Sequence, residues 1–255
     1  MNITKLPIRN TVAAAAAAPR MDLYAGIHKA LRALMADTLL AVGRMDANDA
    51  LELAQTCQRV MELLDFCVTH IQHENEFVHA AIEARAPGAS KAVAHEHAEH
   101  EQHITRLRFL AGSLLKAAAP QRAAAVLETQ RVAIALELYR QLALFIAENF
   151  HHMHVEETAH NAVLWSCYTD VELAGIEGAL VASIPPREMM YTLRWLIPFM
   201  NPAERTAMMA DMQAIAPAPA FAAALDAVRP HLSRVEWEKL GRSLGLATAP
   251  ELVDA

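Results

Sequence analysis

His151-His152-Met153-His154-Val155-Glu156-Glu157-Thr158-Ala159-His160 sets His152 and Glu156 one helical turn apart on a line that is otherwise apolar. Upstream that line runs through Leu138, Leu142, Phe145 and Asn149, and downstream it reaches Val163, in the steps of three or four residues that mark a buried helix face. An imidazole and a carboxylate stand where leucines belong. Buried groups of this kind persist only when something satisfies them, and a metal ion is one of the few partners that satisfies both at once.

Working outward, three more helices carry comparable stripes. The first, about residues 21 to 42, reads Tyr24, His28, Leu31, Met35, and is closed by Gly43 and the Asp46-Ala47-Asn48-Asp49 cluster that caps its successor. The second, about 50 to 84, places Val60, Leu64, Cys67, Ile71, Glu74, Val78 and Ala81 on one face, with His70 four residues before Glu74, and ends at Pro87-Gly88. His-x-x-x-Glu therefore occurs twice. The third, about 90 to 118, reads Val93, His97, His100, Ile104, Leu107, Ala111, Leu114. His100 is the best-placed histidine there, because aliphatic residues take over directly after it; His73, His97 and His103 are the ones that would replace or supplement an assigned ligand. The fourth runs from Pro120, a suitable first residue, to about 168, with a short lead-in before about 128. Four long elements with short connections predict an all-α, up-down-up-down four-helix bundle over residues 21–168, with sites built from inward-facing side chains.

Composition agrees with the class. The 255-residue chain is 54% hydrophobic with only 8 glycines, which suits helix and a sizeable core. A net charge of −7 without a basic run gives no footprint for nucleic acid or an anionic membrane surface, and no segment is long and charge-free enough to span a bilayer. Three cysteines, Cys57, Cys67 and Cys167, stand singly and read as reduced thiols. Lys5 and Arg9 ahead of Val12 and Ala13–Ala18 imitate a signal peptide, but the apolar part is short; residues 1–20 are expected to be a flexible leader and the protein cytoplasmic.

Residues 169–255 are expected to form a C-terminal helical extension packed on the bundle. Thr169-Asp170-Val171-Glu172, Asn201-Pro202-Ala203-Glu204 and Ser233-Arg234-Val235-Glu236 are capping boxes or close relatives, and Pro185-Pro186, Pro198, Pro217, Pro219 and Pro230 divide the segment. Its many methionines suit packing, and its helices offer a surface for a homodimer or a protein partner. Only His231 of the 13 histidines lies there.

The constellation is then His28, His70, Glu74, His100, His152 and Glu156. Four imidazoles and two carboxylates suit two first-row transition ions with the carboxylates bridging; iron is the natural choice, with manganese or zinc as substitutes. His79, His95, His154 and His160 are expected to be solvated or to support ligands from outside, with Glu157 and His160 nearest for the latter role.

Ile27-His28-Lys29-Ala30-Leu31-Arg32, His70-Ile71-Gln72-His73-Glu74-Asn75-Glu76, His100 with Ile104 and Leu107, and His152-Met153-His154-Val155-Glu156-Glu157 together resemble the hemerythrin-like, or HHE, cation-binding domain. The resemblance implies a non-haem di-iron centre with an oxo or hydroxo bridge inside a four-helix bundle. Oxygen carriers of that family use His-x-x-x-His on the third helix and His-x-x-x-x-Asp on the fourth, and this chain has neither. Its set is similar to the four-histidine, two-glutamate set of proteins implicated in repair of damaged iron centres and in nitric oxide responses. The expectation is a di-iron protein that binds or reacts with a small diatomic or peroxide ligand, or senses iron or oxygen. The alternative is a non-enzymatic iron-holding or regulatory module with a structural metal.

Overall fold

The computed structural model describes residues 20–117 and 124–246. The leader expected at residues 1–20 lies outside them except for Arg20, as does the helix start expected at Pro120. Every regular element among the described residues is helical, in agreement with the all-α expectation. Helix α1 is Ala25–Arg44. Helix α2 runs Ala50–His73, continues through a π-helical turn at Glu74–His79 and ends with Ala80–Arg85. Helix α3 is Lys91–Ala117. Helix α4 repeats the construction of α2: Ala124–Val155, a π turn at Glu156–His160, then Asn161–Cys167.

The ends are built locally. The Asp49 carboxylate accepts from the Leu51 and Glu52 amides and starts α2. At the turn into α3, Gly88 takes a φ of 87°, while Glu83 accepts from the Gly88 and Ser90 amides and the Ser90 hydroxyl. These contacts set where α3 begins and hence which of its residues reach the depth of Glu74.

Helices α1 to α4 form a bundle in which α1 packs on α2 and α4, and α3 packs on α2 and α4. Their stripes meet in one core that includes Leu31, Leu34, Leu64, Leu107, Leu142 and Phe145. The two π turns shift the phase of the helices that contain them, because each inserts a residue relative to the α-helical count. Beyond Glu74 the buried residue is Ile82 in place of the Ala81 expected from an uninterrupted stripe; beyond Glu156 it is Leu164 in place of Val163.

The remaining helices are α5 (Asp170–Ser183), α6 (Pro186–Phe199), α7 (Pro202–Ile215), α8 (Ala218–Val228) and α9 (Arg234–Ser243). All three capping boxes read from the sequence are formed, at the starts of α5, α7 and α9. Helix α6 lies against α1, and Tyr191 and Trp195 rest on the bundle core. Met200 and Met209 belong to a second core with Leu193, Phe221 and Leu240, to which α1 contributes Ala30. Leu173 of α5 joins Tyr24, Val78, Ile82 and Leu164 in a third cluster at the end of the bundle. That cluster seals the interior just beyond the two π turns.

Arg205 ties the second core together. Only 4% exposed, it donates to the Ile197, Pro198 and Met200 carbonyls at the end of α6 and pairs with Glu236 at 3.2 Å. Those carbonyls belong to a helix end, where the regular helical hydrogen bonds run out. Arg205→Ala should destabilise the protein by about 3 kcal/mol, the range for a broken buried charge network. Chemical denaturation checks this, and a loss under about 1 kcal/mol would show that water replaces the guanidinium.

Candidate metal centre

The π turns begin at the two glutamates of the two His-x-x-x-Glu pairs, so the side chains that carry the chemistry sit at the points of helical irregularity. Glu74 and Glu156 are 3% and 0% exposed and face each other across the bundle with their oxygens divided between two sets of histidines. On one side, Glu74 Oε1 is 3.2 Å from His70 Nε2 and 3.5 Å from His28 Nε2, which is itself 3.5 Å from Glu156 Oε2. On the other, Glu156 Oε1 is 3.3 Å from His152 Nε2 and 3.6 Å from His97 Nε2, and Glu74 Oε2 is 3.4 Å from His97 Nε2. Each carboxylate turns one oxygen to each set.

Two groups of donors suited to a cation result: His28, His70, Glu74 and Glu156, and Glu74, His97, His152 and Glu156. None of the four carboxylate oxygens has a hydrogen-bond partner, nor do His28 Nε2 and His70 Nε2. Buried polar atoms left unsatisfied in such number are costly, and donors of this kind converging within a few ångströms fit a metal ion that would satisfy them together.

Of the six residues read from the sequence, five lie in these groups and His100 lies in neither. Helix α3 supplies His97 instead. The His100 ring packs edge-on against His152 at 4.7 Å and near Phe145 at 6.0 Å. The reason is depth. Helix α3 returns along α2 from the turn at Gly88, and the π turn after Glu74 packs more residues into each turn, shortening the distance from Glu74 to that connection. The α3 residue level with Glu74 is therefore nearer the turn, at 97. Sequence offered both histidines on one stripe; the rise of a π turn was not visible in it.

Three of the rings are held from behind. Nδ1 of His28 lies 3.0 Å from Glu157 Oε1, that of His97 2.9 Å from Asn75 Oδ1, and that of His152 2.7 Å from Glu96 Oε2. Arg32 in turn clamps Glu157 with two hydrogen bonds, at 2.5 and 3.0 Å. An acceptor behind Nδ1 holds a proton there and turns Nε2 inward, so that Nε2 ligates once a metal displaces its proton, the arrangement metal-binding histidines use. Glu157 was accessible from the motif itself. Glu96 and Asn75 were not, because their relevance depends on the register between helices.

Of the two options expected for His79 and His160, solvation does not hold: they are 5% and 3% exposed, and a third group joins them to Glu156. His95 and His154 are exposed. Cys57 and Cys67 are buried, and burial pushes the Cys67 thiol up to about 12, which leaves it an inert packing residue.

Charge inside the site is concentrated and compensated. Burial pulls His28 down, but hydrogen bonds to Glu157 and Glu74 and the charges of Glu74 and Glu156 outweigh it and lift the imidazole to about 9. His97 reaches about 9 by the same balance, with Glu156 and Glu74 as partners. Burial dominates at His70 and pushes it down to about 4. Burial would raise both buried glutamates, yet the surrounding imidazoles hold Glu74 well below and Glu156 below the usual carboxylate range. Burial and the charges of Glu74 and Glu156 raise the Tyr24 phenol, so it keeps its proton.

A pH dependence follows with a definite sign. His28 and His97 have folded values raised above the ordinary 6.5. Their contribution to the metal-free protein is complete below about pH 6.5 and lost as pH rises through about 9. The melting temperature of the metal-free protein should therefore fall across that window. A metal ion competes with the same protons, so its affinity should rise over the window and its binding should release protons. A metal-free melting temperature that climbs from pH 6.5 to 9 would contradict this balance of charges.

No helix among the described residues is long and apolar enough to cross a membrane. A family model described as Hemerythrin HHE cation binding domain matches residues 21–160. No curated protein and no solved structure matches the chain.

Proposed function

The chain belongs to the hemerythrin HHE cation-binding family, and from that premise we propose that it is a non-haem di-iron protein whose centre binds or reacts with a small ligand such as O2, NO or peroxide. The observation that carries the reading is the division of both buried carboxylates between two histidine pairs. His28 and His70 would hold one ion and His97 and His152 the other, with Glu74 and Glu156 shared. Two glutamates offset part of the charge of two divalent ions, and the nitrogen and oxygen donors suit iron, with manganese or zinc as competitors. Iron there would supply electrons and open coordination positions for the small ligand.

The protein's own contribution is access, orientation and charge. The apolar cluster of Tyr24, Val78, Ile82, Leu164 and Leu173 excludes water from one end. Leu142, Phe145 and Leu107 exclude it on the core side. Glu157, Asn75 and Glu96 hold three rings in the ligating tautomer, so little reorganisation accompanies a change of oxidation state.

Iron analysis with paired aerobic and anaerobic absorption spectra tests this. Two irons per chain and an absorption band that responds to reduction and to NO or O2 are expected. Two irons that respond to neither would favour a structural metal in a regulatory module. A folded protein that takes up no metal after iron loading would overturn the metal reading altogether.

A further inference from the structure

One helical turn from the two carboxylates lies a layer formed by Tyr24, His79 and His160, none of which is needed to complete the two donor groups. All three are buried, at 1%, 5% and 3% exposure. The layer abuts the donors: His79 stacks on His97 at 4.9 Å and 6°, meets His160 edge-on at 5.3 Å, and the Tyr24 ring is 5.4 Å from His28. One nitrogen each from His79 and His160 and a Glu156 oxygen lie within 4.8 Å of one another. Nε2 of His79 and Nε2 of His160 have no hydrogen-bond partner.

Two roles compete for His160: a ligand to a further metal ion, or a donor to something bound beside it. The back of the ring separates them. Behind His28, His97 and His152 stand oxygens that accept, so the proton is on Nδ1 and Nε2 is free to ligate. Behind His160 stands a phenol. Tyr24 Oη lies 3.2 Å from His160 Nδ1, its one hydrogen-bond partner among the described residues. A buried phenol proton needs an acceptor, and Nδ1 is the acceptor within reach. Tyr24 therefore donates to Nδ1, and the ring proton is on Nε2. An N–H cannot ligate a metal; it can donate a hydrogen bond.

We propose that His160, set in its Nε2–H tautomer by Tyr24, donates a hydrogen bond to a small anionic ligand of the metal centre, or to a ligand atom there that gains negative charge. This rests on the di-iron reading above, and it names the class of ligand that the site favours. A neutral, apolar diatomic molecule gains little from such a donor, whereas an anion gains a charge-assisted hydrogen bond in a water-poor site.

Azide is a suitable probe. The iron-loaded full chain would be assayed for iron and then titrated with azide in the oxidised state, following the ligand-to-iron absorption band. His160→Leu should keep full iron and weaken azide binding about tenfold or more, the effect of losing a hydrogen bond to a charged group. Tyr24→Phe removes the group that sets the tautomer and should also weaken it. His160→Gln, which keeps an N–H donor, should restore most of the affinity. Unchanged azide affinity in fully loaded His160→Leu would overturn the proposal. So would a lost iron equivalent in that variant, which would make His160 a ligand, and so would wild-type protein that holds two irons and binds no azide. Failure of the wild type to hold iron at all identifies the di-iron reading as the part that failed.

Discussion

Glu156→Ala should strip iron from the protein, lowering the affinity at both positions by more than roughly 100-fold, beyond the range caused by loss of an outer partner. The expectation follows from how one carboxylate is shared. Glu156 Oε2 faces His28 at 3.5 Å while Oε1 faces His152 at 3.3 Å and His97 at 3.6 Å, so no pair of histidines keeps its full donor set without it. Its removal also leaves four imidazoles around a single carboxylate, which opposes the approach of a cation. Iron per chain, measured after desalting into chelator-free buffer, should fall from two to one or none. His154→Ala is the matched control: it lies two residues away on the same helix, but is exposed, and should retain wild-type iron. Glu157→Ala should fall between them, losing about 10- to 100-fold through a loosened His28 ring. Equal loss in Glu156→Ala and His154→Ala, or full iron in the former, would refute the assignment of the inward face.

Most of the architecture was legible because it depends on periodicity. The stripes of α1 and α3, from Tyr24 to Met35 and from Val93 to Leu114, are buried residue by residue as their spacing requires. The capping boxes at Thr169, Asn201 and Ser233 were legible for the same reason, since each is decided within four residues. What sequence did not carry was the phase change at the two glutamates. Ala81 and Ile82 are both apolar, as are Val163 and Leu164, so nothing in the residue types distinguishes a continuous α-helix from one with a π turn. From that omission follow the misplaced stripe ends, and the depth of α3 that brings His97 rather than His100 into the donor groups was not legible either. Tyr24 and His160 were visible as residues, but their pairing joins positions 136 apart and depends on the packing of α1 against α4. The tautomer of a buried histidine is decided by such a partner, and local sequence does not hold it.

The choice between His97 and His100 gives the second large effect. His97→Ala should remove one ion from the centre and weaken the other, while His100→Ala should leave iron at the wild-type level. His97 Nε2 lies 3.4 Å from Glu74 and 3.6 Å from Glu156, and 3.0 Å from His152 Nε2, the distance at which two nitrogens can share one ion. Asn75 holds the far side of its ring. His100 has the opposite surroundings: burial, and then the neighbouring His152 and His97, push it down to about 3, and its Nδ1 has no hydrogen-bond partner. It is a neutral ring packed on His152 and Phe145, so alanine there costs packing of about 1 to 3 kcal/mol without removing a donor. The two variants thus separate by readout as well as by size. His97→Ala loses iron and the stabilisation iron confers, and its metal-free form also loses the charge compensation that His97 gives Glu74 and Glu156 below about pH 9. His100→Ala loses stability in metal-free and loaded forms alike. If iron follows His100 instead, α3 is one turn out of register with α2 and the π turn at Glu74 does not set the depth of the site.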